Sequence, residues 1–356
     1  MSTRADETND PTSPQEATRT SDGWAPDLLG EGYQQLRFDL GEDPDGEGWI
    51  EAVLVRRKMR PSETVAGAVL YVHGFSDYFF QTELADFAAE RGLAFYGLDL
   101  RKSGRARKDG QTPHFVKDLA RYDQELELAL ARVRSETADV PVVVVAHSTG
   151  GLITPLWLDR RRRAGRVAPI AGLVLNSPWF DLQGGSTPLA NAVLRGPVTR
   201  LVRGLARVQP MRALSLGVTT AYGDSLHPSG AGQGEWDYDV SMKPLTGDQV
   251  TLGWLAAVRR GHARLHRGLD VGVPSLVLRS DKTLFSGRWA EECDRADVVL
   301  DVRQIAQWAG CLGNETTVVP VPDARHDVFL SLPEPRRRAY ETVDRWLTAH
   351  GLAQRA

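Results

Sequence analysis

The chain of 356 residues has few cysteines, no long apolar run and no strong net charge. Its two cysteines, Cys293 and Cys311, are too few for a disulfide framework, and their separation resembles no metal-ligand spacing. The longest apolar runs, such as residues 142–146, are far shorter than the roughly 20 residues that a membrane-spanning helix needs. A net charge of −3 gives no electrostatic argument for nucleic acid binding. A globular protein is therefore expected.

Residues 1–23 contain ten serine, threonine or proline residues and almost no apolar ones. Such a segment cannot bury enough surface to offset the entropy of ordering, so we expect a disordered tail. The tail also lacks the apolar stretch of a secretory signal peptide. We therefore expect a cytoplasmic protein without an integral membrane segment, and the sequence leaves its oligomeric state open.

From residue 33 the chain alternates between strand-like and helix-like segments. Two strands joined by a turn are predicted at residues 33–40 and 51–60. Continuous apolar runs predict strands that are covered on both faces, at residues 68–73, 93–98, 142–146, 170–175, 275–278 and 317–321. Helix-like stretches lie between them, at residues 81–91, 116–136, 151–163, 302–311 and 335–350. The pattern predicts an α/β fold with a mostly parallel central sheet flanked by helices.

Residues 183–270 interrupt this alternation. The interval has no strand-like run but contains two helix-like stretches, at residues 189–205 and 250–265. Because it lies between two strands of the predicted sheet, we interpret it as an inserted, mostly helical cap. The predicted core then consists of residues 24–182 and 271–356.

The stretch AHSTGG at residues 146–151 follows a predicted buried strand and precedes a predicted helix. This order is nearly that of the G-x-S-x-G turn, which places a nucleophilic serine at the end of a strand. The turn is strained, so the residues two before and two after the serine must be small. Gly150 meets this requirement, and Ala146 is the least costly departure from it. We predict Ser148 as the nucleophile; the alternative is a serine that only caps the next helix.

In such proteins the acid and the base follow the nucleophile along the chain. Of the eight histidines, only His326 comes directly after the last predicted strand, so we predict it as the general base. Three carboxylates compete for the acid. Asp281 directly follows a strand, whereas Asp297 and Asp301 precede a helix that either could cap.

An acyl-transfer site needs two backbone N–H groups that stabilise the oxyanion. We expect one from Thr149, directly after the nucleophile, and one from Phe75, in the loop after the strand at 68–73. Gly74 allows that loop to turn close to the site, although a glycine-containing turn without a catalytic role is the alternative. The chain has neither a dinucleotide-binding nor a P-loop glycine pattern, so no cofactor and no metal are expected.

Together these residues resemble the α/β-hydrolase superfamily. Within it they are similar to the monoacylglycerol lipase and lysophospholipase group, which is often filed with the serine aminopeptidase S33 proteins. The matching stretches are HGF at 73–75, GLDLRKSGR at 97–105, AHSTGG at 146–151, SPW at 177–179, ADVVLD at 296–301 and HD at 326–327.

The resemblance also bears on individual residues. The group's Ala-Asp-x-Val-Val-Asp pattern implies Asp297 as the acid, but an insertion at residues 281–296 keeps Asp281 as a rival. Asp99 and Arg101 fall in the group's Asp-x-Arg-x-x-Gly loop, where we interpret them as an ionic brace. The interval 183–270 corresponds to the cap that shapes the substrate pocket.

The resemblance implies a serine hydrolase that cleaves a carboxylic ester, such as a monoacylglycerol, a lysophospholipid or a small ester, through an acyl-enzyme. An S33-type aminopeptidase or amidase is the alternative. It would need a carboxylate to hold the free amine of its substrate, and the candidates in the interval are Asp224, Glu235, Asp237 and Asp239. A non-catalytic binding module of the same fold is a third hypothesis.

Overall fold

The computed structural model describes residues 23–60, 65–166, 168–182, 204–214 and 220–353. The predicted tail, apart from residue 23, lies outside the described residues. So does most of the helix-like stretch at 189–205.

The strands of the described chain form one sheet in the order β1-β2-β3-β5-β4-β6-β7-β8-β9. Neighbours among β4 to β9 run parallel, while β1, β2 and β3 form an antiparallel edge that joins β5. The strands are β1 (Ala25–Asp27), β2 (Gly30–Glu42), β3 (Trp49–Arg57), β4 (Gly67–Val72), β5 (Leu93–Asp99), β6 (Val142–His147), β7 (Ile170–Asn176), β8 (Ser275–Ser280) and β9 (Thr316–Val321). The predicted α/β fold with a mostly parallel sheet is confirmed; β1 is a short strand that the sequence pattern does not indicate.

Helices cover both faces of this sheet. Those whose full extent is described are α1 (Thr82–Ala89), α2 (Asp123–Thr137), α3 (Gly150–Arg163), α4 (Ala221–Leu226), α5 (Leu252–Leu265), α6 (Val302–Ala309) and α7 (Pro333–Ala349). Apolar residues of α2, α3, α5 and α6 share one core with the sheet, and those of α1 and α7 share a second. Within β6, Val142 and Val144 face the first core, and Val143 and Val145 face the second. Burial on both faces explains why this strand is continuously apolar.

One helix of the predicted cap packs directly on the sheet domain. A Cβ atom at Gly261 of α5 would lie 2.9 Å from Leu119 and 3.1 Å from Leu156, so the helix approaches α3 closely at this glycine. Between α4 and α5 the described chain runs through turns and bends. The boundary between core and cap stays a prediction.

The strand order reverses at β4, which lies between β5 and β6. Loops that leave neighbouring strands in opposite directions open a crevice at the carboxyl ends of the sheet, where α/β proteins bind their ligands. The loop after β4 contains Gly74 and Phe75, and Ser148 directly follows β6. The topology therefore brings the predicted oxyanion loop and the predicted nucleophile to the same crevice.

Candidate active site

The turn that carries Ser148 is sterically tight. Ser148 has a φ of +51°, a left-handed conformation that is uncommon for a residue with a side chain. A Cβ atom at Gly150 would overlap the carbonyl oxygen of His73, and one at Gly151 would lie 2.6 Å from Cβ of Pro178. Ala146 is fully buried. The requirement for small residues around the serine is thus a consequence of backbone that passes directly against the turn.

Three side chains from distant parts of the chain meet at this turn. Oγ of Ser148 lies 3.0 Å from Nε2 of His326, and Nδ1 of His326 lies 2.9 Å from Oδ2 of Asp297. The carboxylate can only accept, so Nδ1 carries a proton and Nε2 of the neutral ring is free to accept from the hydroxyl. Ser148 keeps 8% of its surface exposed, whereas His326 and Asp297 are almost fully buried. A hydroxyl, an imidazole and a carboxylate thus contact one another in series.

Of the three competing carboxylates, only Asp297 contacts His326. Asp281 is exposed, and its Oδ1 accepts from the backbone N–H of Asp323. Asp301 caps α6 by accepting from the N–H of Arg303 and forms an ion pair with the same arginine. The carboxylates of Asp281 and Asp301 therefore bind groups close to them in the chain or in a neighbouring loop, and neither contacts His326.

The insertion before Asp297 closes on itself. Asp297 forms a parallel bridge with Thr283. Its backbone N–H donates to the carbonyl of Lys282 at 3.0 Å, and its backbone carbonyl accepts from the N–H of Leu284 at 2.9 Å. The insertion therefore begins just after β8, and its last residues lie beside its first ones. This closure places Asp297 near the end of β8, despite the length of the insertion.

The loop after β4, residues 73–78, is named the oxyanion loop below. A Cβ atom at Gly74 would lie 2.9 Å from Cβ of Ser148, so the backbone of this loop touches the serine. The N–H groups of Phe75 and Thr149 donate to no other group in the described parts of the chain. Two unused backbone donors therefore lie next to residues at the turn: Thr149 directly follows Ser148, and Phe75 directly follows Gly74.

His73 organises this loop. Its Nε2 accepts from the N–H of Leu100 at 3.0 Å, so its Nδ1 carries the proton and donates to the carbonyl of Gly74 at 2.7 Å. Burial lowers the pKa of His73, which keeps the ring neutral in this role. Both ring nitrogens are engaged in holding the backbone, as expected for a structural histidine.

A second histidine–carboxylate pair lies beside the first and was not predicted. Nδ1 of His147 lies 3.2 Å from Oδ2 of Asp77, and Nζ of Lys243 donates to Oδ1 of the same carboxylate at 2.8 Å. Burial would raise the pKa of Asp77, but the Lys243 ammonium and the bond from His147 hold it well below its usual range. The Asp77 carboxylate is therefore a buried anion with a buried cation beside it.

The loop that carries His326 is fixed by the residue that follows it. Nδ2 of Asn176, at the end of β7, donates to Oδ1 of Asp327 at 2.5 Å, and Oδ1 of Asn176 accepts from the N–H of Val328 at 3.0 Å. This reciprocal pair ties the histidine loop to the sheet. The sequence contained the His326–Asp327 pair but no pattern that pointed to Asn176.

Tyr222 of α4 brings the predicted cap into contact with the site. Its ring meets the His326 ring edge-on, with the centroids 5.4 Å apart. Its hydroxyl is buried without a hydrogen-bond partner among the described residues, and burial raises its pKa well above the usual value. The tyrosine therefore stays a neutral donor next to the histidine, and no sequence motif marks it.

Asp99 and Arg101 each form an ion pair at the loop after β5. They do not pair with each other. Asp99 accepts from the N–H of Phe79 and pairs with Arg105 at 2.9 Å. Arg101 pairs with the buried carboxylate of Glu125 at 2.5 Å. The predicted brace thus consists of two buried ion pairs in place of one.

In the described ranges, no three His, Cys, Asp or Glu side chains are grouped as a metal site would require. Nor does any helix there combine the length and apolarity needed to cross a bilayer.

The sheet, its flanking helices and a serine on the turn after β6 define an α/β-hydrolase. The chain belongs to the family described as serine aminopeptidase, S33, whose sequence profile matches residues 63–284. The match includes Phe75 and Ser148 and ends before Asp297 and His326. The expected superfamily and group are therefore confirmed.

Solved structures share the fold at low sequence identity. A soluble variant of monoglyceride lipase from Saccharomyces cerevisiae has a TM-score of 0.61 and 16% identity, over 96% of this chain and 99% of that one. The monoacylglycerol lipase of Paleococcus ferrophilus has a TM-score of 0.59 and 18% identity, over 81% and 96%. A thermostable carboxyl esterase from Bacillus coagulans has a TM-score of 0.60 and 14% identity, over 90% and 99%. A comparison with curated proteins gives no match.

Proposed function

We propose that this protein is a serine hydrolase that cleaves a carboxylic ester through an acyl-enzyme. Ser148 is the nucleophile, His326 the general base and Asp297 the acid. The observation that carries the proposal is the unbroken contact from Oγ of Ser148 to Nε2 of His326, at 3.0 Å, and from Nδ1 to Asp297, at 2.9 Å.

In the first half of the reaction, the hydroxyl of Ser148 attacks the ester carbonyl carbon while its proton passes to Nε2 of His326. Asp297 holds Nδ1–H and stabilises the resulting imidazolium. The imidazolium then gives its proton to the leaving alcohol, and Ser148 is acylated. In the second half, His326 takes a proton from water as the water attacks the acyl carbon, and it then gives this proton to Oγ of Ser148 as the bond from carbon to Oγ breaks and the acid leaves.

Both halves pass through a tetrahedral oxyanion. In our proposal the N–H groups of Phe75 and Thr149 bind it, since neither is used elsewhere in the described chain. Loss of one such donor typically costs about 10²- to 10³-fold in kcat. Gly74 supports this role of Phe75, because it lets the loop approach Ser148 closely.

The ester class is supported by the names of proteins with this fold, which include monoglyceride lipases and a carboxyl esterase. A monoacylglycerol, a lysophospholipid or a small ester is the proposed substrate range. A cytoplasmic location, which the sequence suggests, is also part of the proposal.

The aminopeptidase alternative agrees with the family's description, but no contact of its candidate carboxylates supports it. Glu235, Asp237 and Asp239 are exposed. Asp224, in the first turn of α4, accepts from the N–H of Ala231 at 3.3 Å. None of the four carboxylates contacts Ser148 or His326 in the described residues, so none is placed to hold a substrate amine.

The test is hydrolysis of p-nitrophenyl esters of increasing chain length, together with labelling by a fluorophosphonate. Ser148→Ala should lose at least about 10⁴-fold in kcat and all labelling, because the nucleophile is gone. Ser177→Ala is the matched control, since Ser177 is also buried, has a positive φ of +45° and has no partner for its hydroxyl among the described residues. Equal turnover by wild type and Ser148→Ala would refute the proposal.

A further inference from the structure

We propose that residues 239–248, here named the clasp, hold the oxyanion loop in its catalytic conformation, and that Lys243 is the positioning residue that links the two. This inference rests on the proposed ester hydrolysis. It assigns a role to a part of the predicted cap that no motif marks.

Three residues of the clasp contact three consecutive residues of the oxyanion loop in reverse order. The N–H of Asp239 donates to the hydroxyl of Tyr78 at 2.8 Å, and Nζ of Lys243 donates to Asp77 at 2.8 Å. The N–H of Asp248 then donates to Oγ of Ser76 at 2.9 Å. Three consecutive loop residues are therefore held by three points along one segment of the interval.

Lys243 is the buried contact among the three. Its side chain is 6% exposed and that of Asp77 is 1% exposed. The ammonium also lies over the rings of Tyr222, Phe80 and Tyr238, at 5.3 to 5.8 Å from their centroids. A buried ion pair is weak evidence for stability because both charges lose their hydration. Its location beside the reacting serine favours a role in fixing geometry.

The ion pair is connected to the reacting atoms by two short routes. Asp77 binds His147, the residue directly before Ser148, at 3.2 Å. Asp77 also lies in the loop that carries Phe75, two residues after it. A loop that shifted at Asp77 would therefore move both the proposed oxyanion donor and the neighbour of the nucleophile.

The oxyanion loop needs external support, because its own conformation is strained. Ser76 has a φ of +53°, and its N–H donates to Nε2 of His114 at 2.9 Å. A non-glycine residue keeps such a conformation only where surrounding contacts over-determine it. The clasp supplies one of these contacts through Asp248, and Lys243 secures the next residue of the loop.

The proposal predicts a specific kinetic signature for Lys243→Met. The oxyanion donor should be displaced, while the groups that bind the ground-state ester are unchanged. We therefore expect kcat to fall about 10- to 100-fold, below the full cost of a lost donor, with KM changed less than about threefold. Lys243→Arg keeps the cation and should retain most of the wild-type kcat.

Two related inhibitors distinguish a positioning role of Lys243 from a purely structural one. A trifluoromethyl ketone forms a tetrahedral adduct with Ser148: Oγ bonds to the carbonyl carbon, its proton goes to His326, and the carbonyl oxygen becomes an oxyanion. The corresponding secondary alcohol cannot form this adduct. Lys243→Met should weaken the ketone by the same factor as kcat and leave the inhibition constant of the alcohol unchanged.

Lys282→Met is the matched control, because Lys282 also pairs with an aspartate, Asp323, but at the exposed surface. Tyr78→Phe is the second variant: it removes only the acceptor of the Asp239 N–H and should lower kcat severalfold, which keeps the test valid if Lys243→Met fails to fold.

Unchanged kcat in a folded Lys243→Met, or a rise in KM alone, would overturn the clasp proposal. If wild type and Ser148→Ala are equally inactive, the proposed function itself fails.

Discussion

Two histidine–carboxylate pairs lie side by side at the carboxyl end of the sheet, and only one of them faces a serine hydroxyl. His326 pairs with Asp297 at 2.9 Å and His147 pairs with Asp77 at 3.2 Å. The two imidazole rings are 4.9 Å apart. The same two residue types thus occur in one crevice in two different settings.

The settings differ in charge. Oδ1 of Asp297 accepts from the backbone N–H groups of Val299 and Leu300, at 2.8 and 2.7 Å, and no lysine or arginine in the described ranges pairs with this carboxylate. Asp77, by contrast, has Lys243 on its other oxygen. A carboxylate held by neutral donors keeps its charge available to an imidazolium, whereas one that is paired with a cation is already compensated. The first setting suits proton transfer and the second suits fixed position.

The first way to break this comparison is to neutralise the acid of the proposed triad. In Asp297→Asn the amide would donate to Nδ1 of His326 and force the wrong tautomer, so we expect kcat to fall about 10⁴-fold. Ester turnover by purified protein measures the loss. Asp281→Asn is the control, since Asp281 is exposed and binds only backbone among its described hydrogen bonds. A larger loss in Asp281→Asn would reverse the assignment.

The second variant tests the charge difference directly. Asp77→Asn leaves the buried ammonium of Lys243 without a counter-charge, so we expect the free energy of unfolding to fall by about 3–5 kcal/mol. The double variant Asp77→Asn with Lys243→Met should recover most of this loss, because no buried charge remains. Urea unfolding of the three proteins measures both effects.

Asp297→Asn provides the contrast for that measurement. This variant leaves no buried cation without a counter-charge, so it should lower the free energy of unfolding less than Asp77→Asn does. Equal destabilisation by the two single variants would show that the cation beside Asp77 makes no difference, and the comparison would lose its physical basis.

The sequence predicted the sheet and the His326–Asp297 pair, but not the His147–Asp77 pair. The reasons for this difference are physical. Strands buried on both faces are apolar throughout, so their positions are visible in the sequence to within two residues. Ser148 directly follows such a strand. His326 lies in the loop after β9, which, contrary to the prediction for residues 317–321, is an edge strand with only Val321 buried. Asp297 does not directly follow a strand, because the insertion at residues 281–296 separates it from β8, and only the family pattern indicated it.

Lys243 and Tyr222 could not be predicted in this way. Lys243 meets Asp77 across 166 residues of chain, from a segment of turns without periodicity. The ring of Tyr222 reaches His326 from the short helix α4. Contacts of this kind depend on how the interval packs over the crevice, and no local pattern encodes that packing.

The third prediction concerns the point where the two pairs meet. A methyl group at Gly74 would lie 2.9 Å from Cβ of Ser148 and 3.2 Å from Nδ1 of His147, so the loop or the serine must shift. A misplacement of this size can cost up to about 10²-fold, and we expect a loss of kcat in that range for Gly74→Ala. Gly32→Ala is the control, because its added methyl group meets no atom within 4 Å. Equal ester turnover by the two variants would contradict the close approach.

A buried histidine of α5 sharpens the comparison, because neither of its ring nitrogens binds a carboxylate among the described residues. His262 of α5 is 1% exposed, and its Nε2–H donates to the carbonyl of Trp179 at 2.9 Å. Burial lowers the pKa of His262 to about 3, more than the bond to Trp179 raises it. The unfolded chain, in which the usual value is 6.5, therefore binds a proton between these two pH values that the folded chain does not.

This difference makes the fold sensitive to acid. Stability from His262 is fully present above pH 6.5 and should fall by about 1.4 kcal/mol per pH unit as the pH decreases toward 3. His262→Gln keeps an N–H for the Trp179 carbonyl but cannot titrate. Urea unfolding of both proteins at pH 6.5, 5.5 and 4.5 isolates the effect, because all other groups titrate equally in the two. Identical pH slopes would show that the burial of His262 does not make the fold sensitive to acid.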